Sequence, residues 1–284
     1  HPQFAIAAIE AGFDKIRWNP GNIRHPERVR EVVDRAKERG VPIRVGVNVG
    51  SLDPEIEERH QDDLVEAMVQ SALKSVRLLE GFAFEDIVLS LKSSDVFQVL
   101  AAYRRMAQVC EYPFHLGVTE AGLPEASTVK SAIGIGTLLA EGIGDTIRVS
   151  ITGDPIEEVR VAQRILSSLD VRRFETNVIA CPSCGRCEID LIGITSQVKE
   201  RLTALGQRQP RALGLTVAVM GCVVNGPGES EHADVGLAGG GGIGVIYRKG
   251  QIVRRVTESD MVDALIQEVQ RVLGEEPVKV AALG

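Results

Sequence analysis

From Asp14 to about Val171, short apolar runs of period two alternate with longer stretches of period 3.6. The short runs predict strands over Asp14–Asn19, Ile43–Gly50, Asp86–Ser94, Phe114–Ala121 and Thr146–Thr152. Between them, Val29, Val32, Val33 and Ala36 follow the i, i+3, i+4, i+7 rule of a helix face, with Pro26 near the start and Gly40 past the end. Val96, Val99, Leu100, Tyr103, Ala107 and Cys110 repeat the rule behind Asp95 as N-cap, which puts Cys110 on a buried structural stripe. Asp154-Pro155-Ile156-Glu157 opens a further helix with a cap, a proline at N1 and an acid at N3.

Strands alternating with helices predict a parallel sheet. Five such units suit a (β/α)₈ barrel of the TIM type with its first strands missing, and an open doubly wound sheet shares the same pattern. After about Arg172 the character changes. Short strands (Asn177–Ala180, Leu215–Met220, Gly244–Tyr247, Ile252–Val256), a glycine run at 239–244 and a terminal helix over Met261–Leu273 predict a small α+β domain. Tyr247-Arg-Lys-Gly-Gln251 reads as a hairpin connection. The expected domains are therefore 1–172, a partial barrel, and 173–284.

Strands of a helix-covered parallel sheet should be nearly continuous apolar runs. These are interrupted at one parity: Arg17 with Asn19, Arg44 with Asn48, Ser90 with Lys92 and Ser94, His115 with Thr119, and Arg148 with Ser150 and Thr152. Residues two apart share a face. The other parity (Ile43, Val45 and Val47; Val88 and Leu91, with Leu89 excepted; Ile147 and Val149) is assigned to the helix side. Four strands thus send a cation to one interior face, where Glu120 is the main acid in reach. Buried together, those cations require a compensating anion. A phosphate or diphosphate at the C-terminal mouth of the barrel fits.

Composition changes this picture little. The net charge of −7 gives no global pull toward nucleic acid or anionic membranes, so an anionic ligand must be held locally. No run approaches the roughly 18 apolar residues of a membrane span. His1-Pro2-Gln3-Phe4 has neither an initiator Met nor a signal pattern, and Phe4, Ile6 and Ile9 already read as helix, so the expectation is a fragment. Three of the five cysteines, Cys181, Cys184 and Cys187, sit within seven residues, which suggests a metal or cluster and a reducing, cytoplasmic setting. Cys222 follows the Leu215–Met220 strand. Four thiolates suit either Zn²⁺ or a [4Fe–4S] cluster, and spacing alone leaves both open. Glu229, past a Gly-Pro-Gly sequence expected to turn the chain back, could face the same metal; a Cys₃–Glu set leaves one iron weakly held.

Several stretches, in order along nearly the whole chain, carry a resemblance to a known family. They are Ile16–Ile23, Ile43–Leu52, His115–Gly122, Lys130–Gly134, Glu141–Ser150, Ala180–Cys184 and Gly221-Cys-Val-Val-Asn-Gly-Pro-Gly-Glu229. The chain resembles the 4-hydroxy-3-methylbut-2-en-1-yl diphosphate synthases, iron–sulfur enzymes of the non-mevalonate isoprenoid pathway. The resemblance implies a TIM-type barrel, here without about three of its eight strands, and then a cluster domain. It implies a [4Fe–4S] cluster on Cys181, Cys184, Cys222 and Glu229, and diphosphate held by Arg17, Arg44, Asn48, Lys92, Arg148 and Ser150. Thr119 and Glu120 would lie at the carbon skeleton, with Glu120 the proton donor. It implies reductive opening of 2-C-methyl-D-erythritol 2,4-cyclodiphosphate, electrons from ferredoxin or flavodoxin, and a homodimer that brings one subunit's cluster to the other's barrel. Cys187 departs from the pattern, since many members lack a third cysteine there; it is a bystander or a rival of Glu229. Two other readings remain: a structural zinc domain on a non-redox phosphate-binding barrel, and a barrel lyase or aldolase using Lys92 as a Schiff-base amine.

Overall fold

Aspartates cap several of the helices. Asp53, Asp63, Asp95, Asp154 and Asp190 each accept a backbone N–H from the first turn that follows, at 2.9–3.1 Å. The computed structural model describes residues 2–19, 26–222, 224 and 226–275. Its contacts divide the chain into two units, His1–Leu169 and Asp170–Gly284.

Unit 1 runs α1 (Pro2–Glu10), β1 (Ile16–Trp18), α2 (Pro26–Arg39), β2 (Ile43–Asn48), α3 (Pro54–Arg59), α4 (Leu64–Gly81), β3 (Ile87–Lys92), α5 (Val96–Met106), β4 (His115–Leu116), α6 (Pro124–Ala140), β5 (Thr146–Ile147) and α7 (Pro155–Ser168). β1, β2 and β3 form one parallel sheet in sequence order, and β4 and β5 a parallel pair. A parallel bridge from Leu89 to Phe114 joins the two. Strand order therefore follows chain order, without the reversal that marks a doubly wound sheet. Val33, Ala36, Met68, Leu79 and Val99 from the helices bury Ile43, Val45, Val47, Leu89 and Leu91. This reverses one assignment: Leu89 belongs to the helix-side core, while Val88 pairs with Arg44 on the polar parity.

β4 and β5 are far shorter than the runs Phe114–Ala121 and Thr146–Thr152 predict, and for β4 Tyr103 supplies one reason. In a continuous ladder the Leu91 N–H would reach across to the next strand, as the Leu89 N–H does to the Pro113 carbonyl at 2.8 Å. Instead the Tyr103 hydroxyl stands between: it accepts the Leu91 N–H at 3.0 Å and donates to the His115 carbonyl at 2.6 Å. The Tyr103 ring is fully buried, edge-on to Phe114, and burial pushes its phenol pKa up. Backbone bonding continues beyond the short strands, from Thr119 N–H to Ser93 and from Thr152 N–H to Gly122. α5 ends at Met106, so Cys110 lies past the helix, half-buried against the core, rather than on its stripe.

Unit 2 runs β6 (Asn177–Ala180), α8 (Leu191–Arg208), β7 (Thr216–Met220), α9 (Gly226–Glu231), β8 (Val235–Gly240), β9 (Ile243–Arg248), β10 (Gln251–Thr257) and α10 (Met261–Glu275). The sheet order is β10-β9-β8-β7-β6, parallel through β6–β8 and antiparallel beyond. α8 and α10 cover Val217, Val219, Leu237 and Ile246 on one face, and α9 packs on the other. The predicted hairpin is present, with Lys249 and Gly250 both at positive φ, as a two-residue turn of the primed type demands. α8 and β8 were not predicted. The glycine run is split between β8 and β9, with Gly241 and Gly242 turning at φ 59° and 74°. Gly226-Pro-Gly228 begins a helical turn instead of folding back, and a Cβ on Gly226 would lie 2.2 Å from the Ala238 Cβ.

Tyr103→Phe keeps the packing and removes only the bridge, leaving the Leu91 N–H and the His115 carbonyl short of a partner. The expected loss is about 1–3 kcal/mol of stability by denaturant unfolding. A loss below about 0.5 kcal/mol would show that the hydroxyl is not what joins β3 to β4.

Candidate functional site

The polar parity of β1–β5 gathers into one charged face in unit 1. The Arg17 side chain lies across Gly46, whose Cβ, if present, would sit 2.3 Å from the Arg17 Nε. Its guanidinium donates to the Gly46 carbonyl at 3.1 Å and to Asn48 Oδ1 at 3.5 Å. Arg44 donates to Ser90 Oγ at 2.9 Å. Lys92 passes over Gly117, where a Cβ would stand 3.2 Å from its Nζ and 2.5 Å from the Arg148 carbonyl. Both glycines are therefore needed for close approach. His115 Nδ1 lies 2.8 Å from Thr146 Oγ1.

Burial is uneven across this face. Lys92 is 6% exposed and Arg44 half-buried, whereas Arg17 and Arg148 are exposed. Four cations are not all sealed in, as the strand pattern suggested; water screens the outer two. Burial, then Arg44, Arg148 and Arg17, bring the Lys92 ammonium pKa down to about 7. Burial and Lys92, followed by Arg44, Lys15 and Arg148, push His115 to about 3, so its imidazole is neutral. Arg17 and Arg44 are lowered too, by burial first.

The carboxylate that offsets this charge is not the expected one. Glu158, on α7, lies 3.9 Å from the Arg148 guanidinium, accepts the Ile151 N–H at 2.9 Å and favours the charged form of Lys92. Sequence reasoning missed it because it sits four residues after Asp154 inside a helix. Glu120 is exposed, at φ 52°, a left-handed backbone that is uncommon for glutamate. With Thr119, Asn48, Ser51, Ser93 and Asp95 it lines a cavity of about 500 Å³ at the ends of β2–β4. Ser150 is half-buried, its carbonyl accepting from Ser127 Oγ at 2.7 Å.

The second candidate site is in unit 2. Parallel pairing sets Ala180 beside Val219, so Cys181 leaves β6 next to where Gly221-Cys222 leaves β7. The Gly221 N–H points at Cys181 Sγ, 3.3 Å away. Cys187 Sγ rests against the same glycine, 2.5 Å from where a Cβ would be, and lies 3.4 Å from the Ile189 carbonyl. Cys222 is buried and Cys181 half-buried. Cys184 is exposed, its thiol pKa lowered by the backbone N–H and guanidinium of Arg186. Glu229 is exposed in the first turn of α9. Among the described residues no three Cys, His, Asp or Glu side chains stand in single-ion geometry. The structure thus brings Cys181, Cys187 and Cys222 around Gly221 and the neighbouring strand ends, and leaves Cys184 exposed on the loop after β6 and Glu229 exposed on α9. Of the stretches that carried the resemblance, Pro20–Ile23, Val223 and Asn225 lie outside the described residues.

Comparison with known proteins bears on both units. The family profile of the GcpE TIM-barrel domain matches residues 1–163, and that of the GcpE protein C-terminal domain residues 177–271. A protein of Geobacter sulfurreducens named 4-hydroxy-3-methylbut-2-en-1-yl diphosphate synthase (flavodoxin) is 53% identical over 274 residues, 96% of this chain and 76% of that protein. Proteins of the same name from Symbiobacterium thermophilum and Caldanaerobacter subterraneus subsp. tengcongensis are each 52% identical, across 96% of this chain and 72% and 76% of their own lengths. With both of its units matched and these identities sustained over 96% of its length, the chain belongs to the GcpE family.

Proposed function

We propose that this chain is an oxidoreductase of isoprenoid biosynthesis that opens and dehydrates 2-C-methyl-D-erythritol 2,4-cyclodiphosphate to 4-hydroxy-3-methylbut-2-enyl diphosphate. The observation that carries the reading is the charged face of unit 1. Arg17, Arg44, Lys92 and Arg148 converge with Asn48 beside one offsetting acid, Glu158, an arrangement that favours a multiply charged anion. The names of the relatives supply the product, 4-hydroxy-3-methylbut-2-en-1-yl diphosphate. The sequential strand order supports a TIM-type barrel, to which residues 1–172 contribute the substrate-binding part. Residues 173–284 form the cluster domain.

In this reading Arg17, Arg44, Asn48, Lys92, Arg148 and Ser150 hold the diphosphate. Lys92, half-deprotonated near pH 7 without ligand, takes up a proton as the anion arrives. Thr119 and Glu120 face the carbon skeleton across the 500 Å³ cavity, and the Glu120 carboxyl delivers the proton that leaves with water. Cys181, Cys184, Cys222 and Glu229 hold a [4Fe–4S] cluster, and the thiol donor set on adjacent strand ends with an N–H aimed at Cys181 Sγ suits one. When bound, that cluster supplies the electrons. Flavodoxin, from the relatives' names, or ferredoxin is the donor. The enzyme works in the cytoplasm as a homodimer, one subunit's cluster serving the other's anion site.

Iron and sulfide analysis of anaerobically purified protein tests the reading directly. Near-stoichiometric four iron and four sulfide per chain is expected; a colourless zinc protein would reject it. Arg44→Ala should keep the cluster absorption while raising the substrate KM roughly 10- to 150-fold, the loss of about 1.5–3 kcal/mol for a charged hydrogen bond. Cluster loss in that variant would mean that Arg44 is misassigned.

The pH dependence has a definite sign. The Lys92 pKa is about 7 when folded against an ordinary value of 10.5, so the unfolded chain holds that proton more firmly. Ligand-free stability should therefore rise from about pH 7 toward about 10.5. Pyrophosphate favours the ammonium, so its affinity should fall above pH 7 by up to about tenfold per unit, with proton uptake visible by calorimetry in two buffers. Lys92→Met should abolish that proton uptake.

Cys187→Ala should retain the cluster spectrum and most activity. Glu229→Ala should lose activity and hold iron at least about tenfold less firmly. The reverse pattern would assign a Cys₄ site.

A further inference from the structure

Cys184-Gly185-Arg186-Cys187 closes as a β-turn, the Cys187 N–H donating to the Cys184 carbonyl at 2.9 Å. Such a turn holds its first and fourth Cα atoms within about 7 Å. A disulfide spans Cα separations of about 4.4–6.8 Å. The two thiols differ in setting: Cys184 is exposed, and Cys187 is half-buried against the unit 2 core. Ser183, immediately before the turn, is held at φ 67°, so the loop approaches it in a defined left-handed conformation. The other two cysteines of unit 2 are engaged elsewhere: Cys181 Sγ accepts the Gly221 N–H, and Cys222 is buried at the end of β7.

The geometry points to a redox modification site: without bound iron, Cys184 and Cys187 join in a disulfide within this turn. A small disulfide oxidant such as oxidised glutathione suffices. The exposed Cys184 sulfur attacks it, releasing one glutathione thiol and forming a mixed disulfide. The Cys187 sulfur then attacks Cys184, forming the intraloop bond and releasing the second thiol. The two protein thiols lose two electrons and two protons, and the oxidant gains both. Closing the bond gives up the contact of Cys187 Sγ with the Ile189 carbonyl, but that carbonyl keeps the Leu191 N–H at 2.8 Å. The disulfide shields Cys184 from irreversible oxidation to the sulfinic and sulfonic acids, and a dithiol reverses it. Its consequence for iron rests on the reading above, in which Cys184 is a cluster ligand; its formation does not.

The test uses the full chain, freed of iron by chelation without oxygen and then equilibrated with oxidised glutathione. After alkylation and denaturation, trypsin cuts at Arg186, between the two cysteines. Peptides 174–186 and 187–199 should remain linked, two hydrogens lighter than their sum, with fragmentation assigning the bond to Cys184. Cys181→Ser and Cys222→Ser should keep the link, and Cys184→Ser and Cys187→Ser should lose it. A bond from Cys187 to Cys181 or Cys222, or glutathione adducts alone, overturns the proposal. Iron uptake is read separately. Oxidised parent protein should take up iron only after dithiol treatment, whereas identically oxidised Cys187→Ser should recover it with monothiol alone. If the link forms at Cys184 yet oxidised parent protein binds iron undiminished, the disulfide stands and the ligand role of Cys184 falls.

Discussion

Holding an ammonium and a guanidinium side by side under the protein surface is the constraint around which unit 1 is built. Lys92 is nearly sealed from water and has Arg44 and Arg148 as neighbours, which is why its proton is so weakly held. Several residues are what they are because of it. Ser90 offers Arg44 a hydroxyl where the strand would otherwise be apolar. Gly46 and Gly117 clear the space that the Arg17 and Lys92 side chains occupy. His115 is admitted only as a neutral ring, since a third buried cation there would be still costlier. Glu158 reaches in from α7 to relieve part of the repulsion. An apolar face would be more stable, so these residues are arranged against their own electrostatics, the arrangement that an anion-binding role would require.

Tyr103 ties that face to the rest of the fold. Its hydroxyl replaces one ladder bond with two, and these bonds end on Leu91 and His115, the neighbour of Lys92 in β3 and a member of the charged face in β4. The segment that carries His115, Gly117 and Thr119 is thus joined to β3 through a phenol midway between two direct backbone bonds, Leu89 N–H to the Pro113 carbonyl and Thr119 N–H to the Ser93 carbonyl.

What could be read in the sequence follows from which signals are local. Strand starts were legible because Ile43, Val45 and Val47 set a parity, and Arg44 stood out by breaking it. The shortness of β4 was not, because it depends on where a side chain twelve residues away places its hydroxyl. α8 is legible in the sequence, since Leu191, Ile194, Val198, Leu202 and Leu205 keep helical spacing. β8 was hidden because Val-Gly-Leu-Ala-Gly-Gly has few side chains to show alternation, and its glycines serve close packing: a Cβ on Gly236 would meet Ser230 and one on Gly239 would meet Ile189. In the site, the cations declared themselves as polar residues in apolar runs, whereas Glu158 looked like any acid in a first helical turn. Glu120 follows a strand, whereas the acid that meets the cations, Glu158, comes from a helix and shows no strand parity.

The cysteine loops add a reason for the glycine before Cys222. Gly221 donates its N–H to Cys181, and its missing side chain leaves the place where Cys187 sits. Any Cβ there would strike the Cys187 sulfur at 2.5 Å, well inside van der Waals contact, and force either that side chain or the Cys222 backbone to move. Cys187 is therefore no bystander in packing even where it contributes nothing to binding iron. Its sulfur helps fix the spacing between the loop after β6 and the loop after β7. A substitution at 187 should be judged by volume as well as by chemistry: serine preserves the seat, while a larger side chain would press on Gly221 and disturb both loops at once.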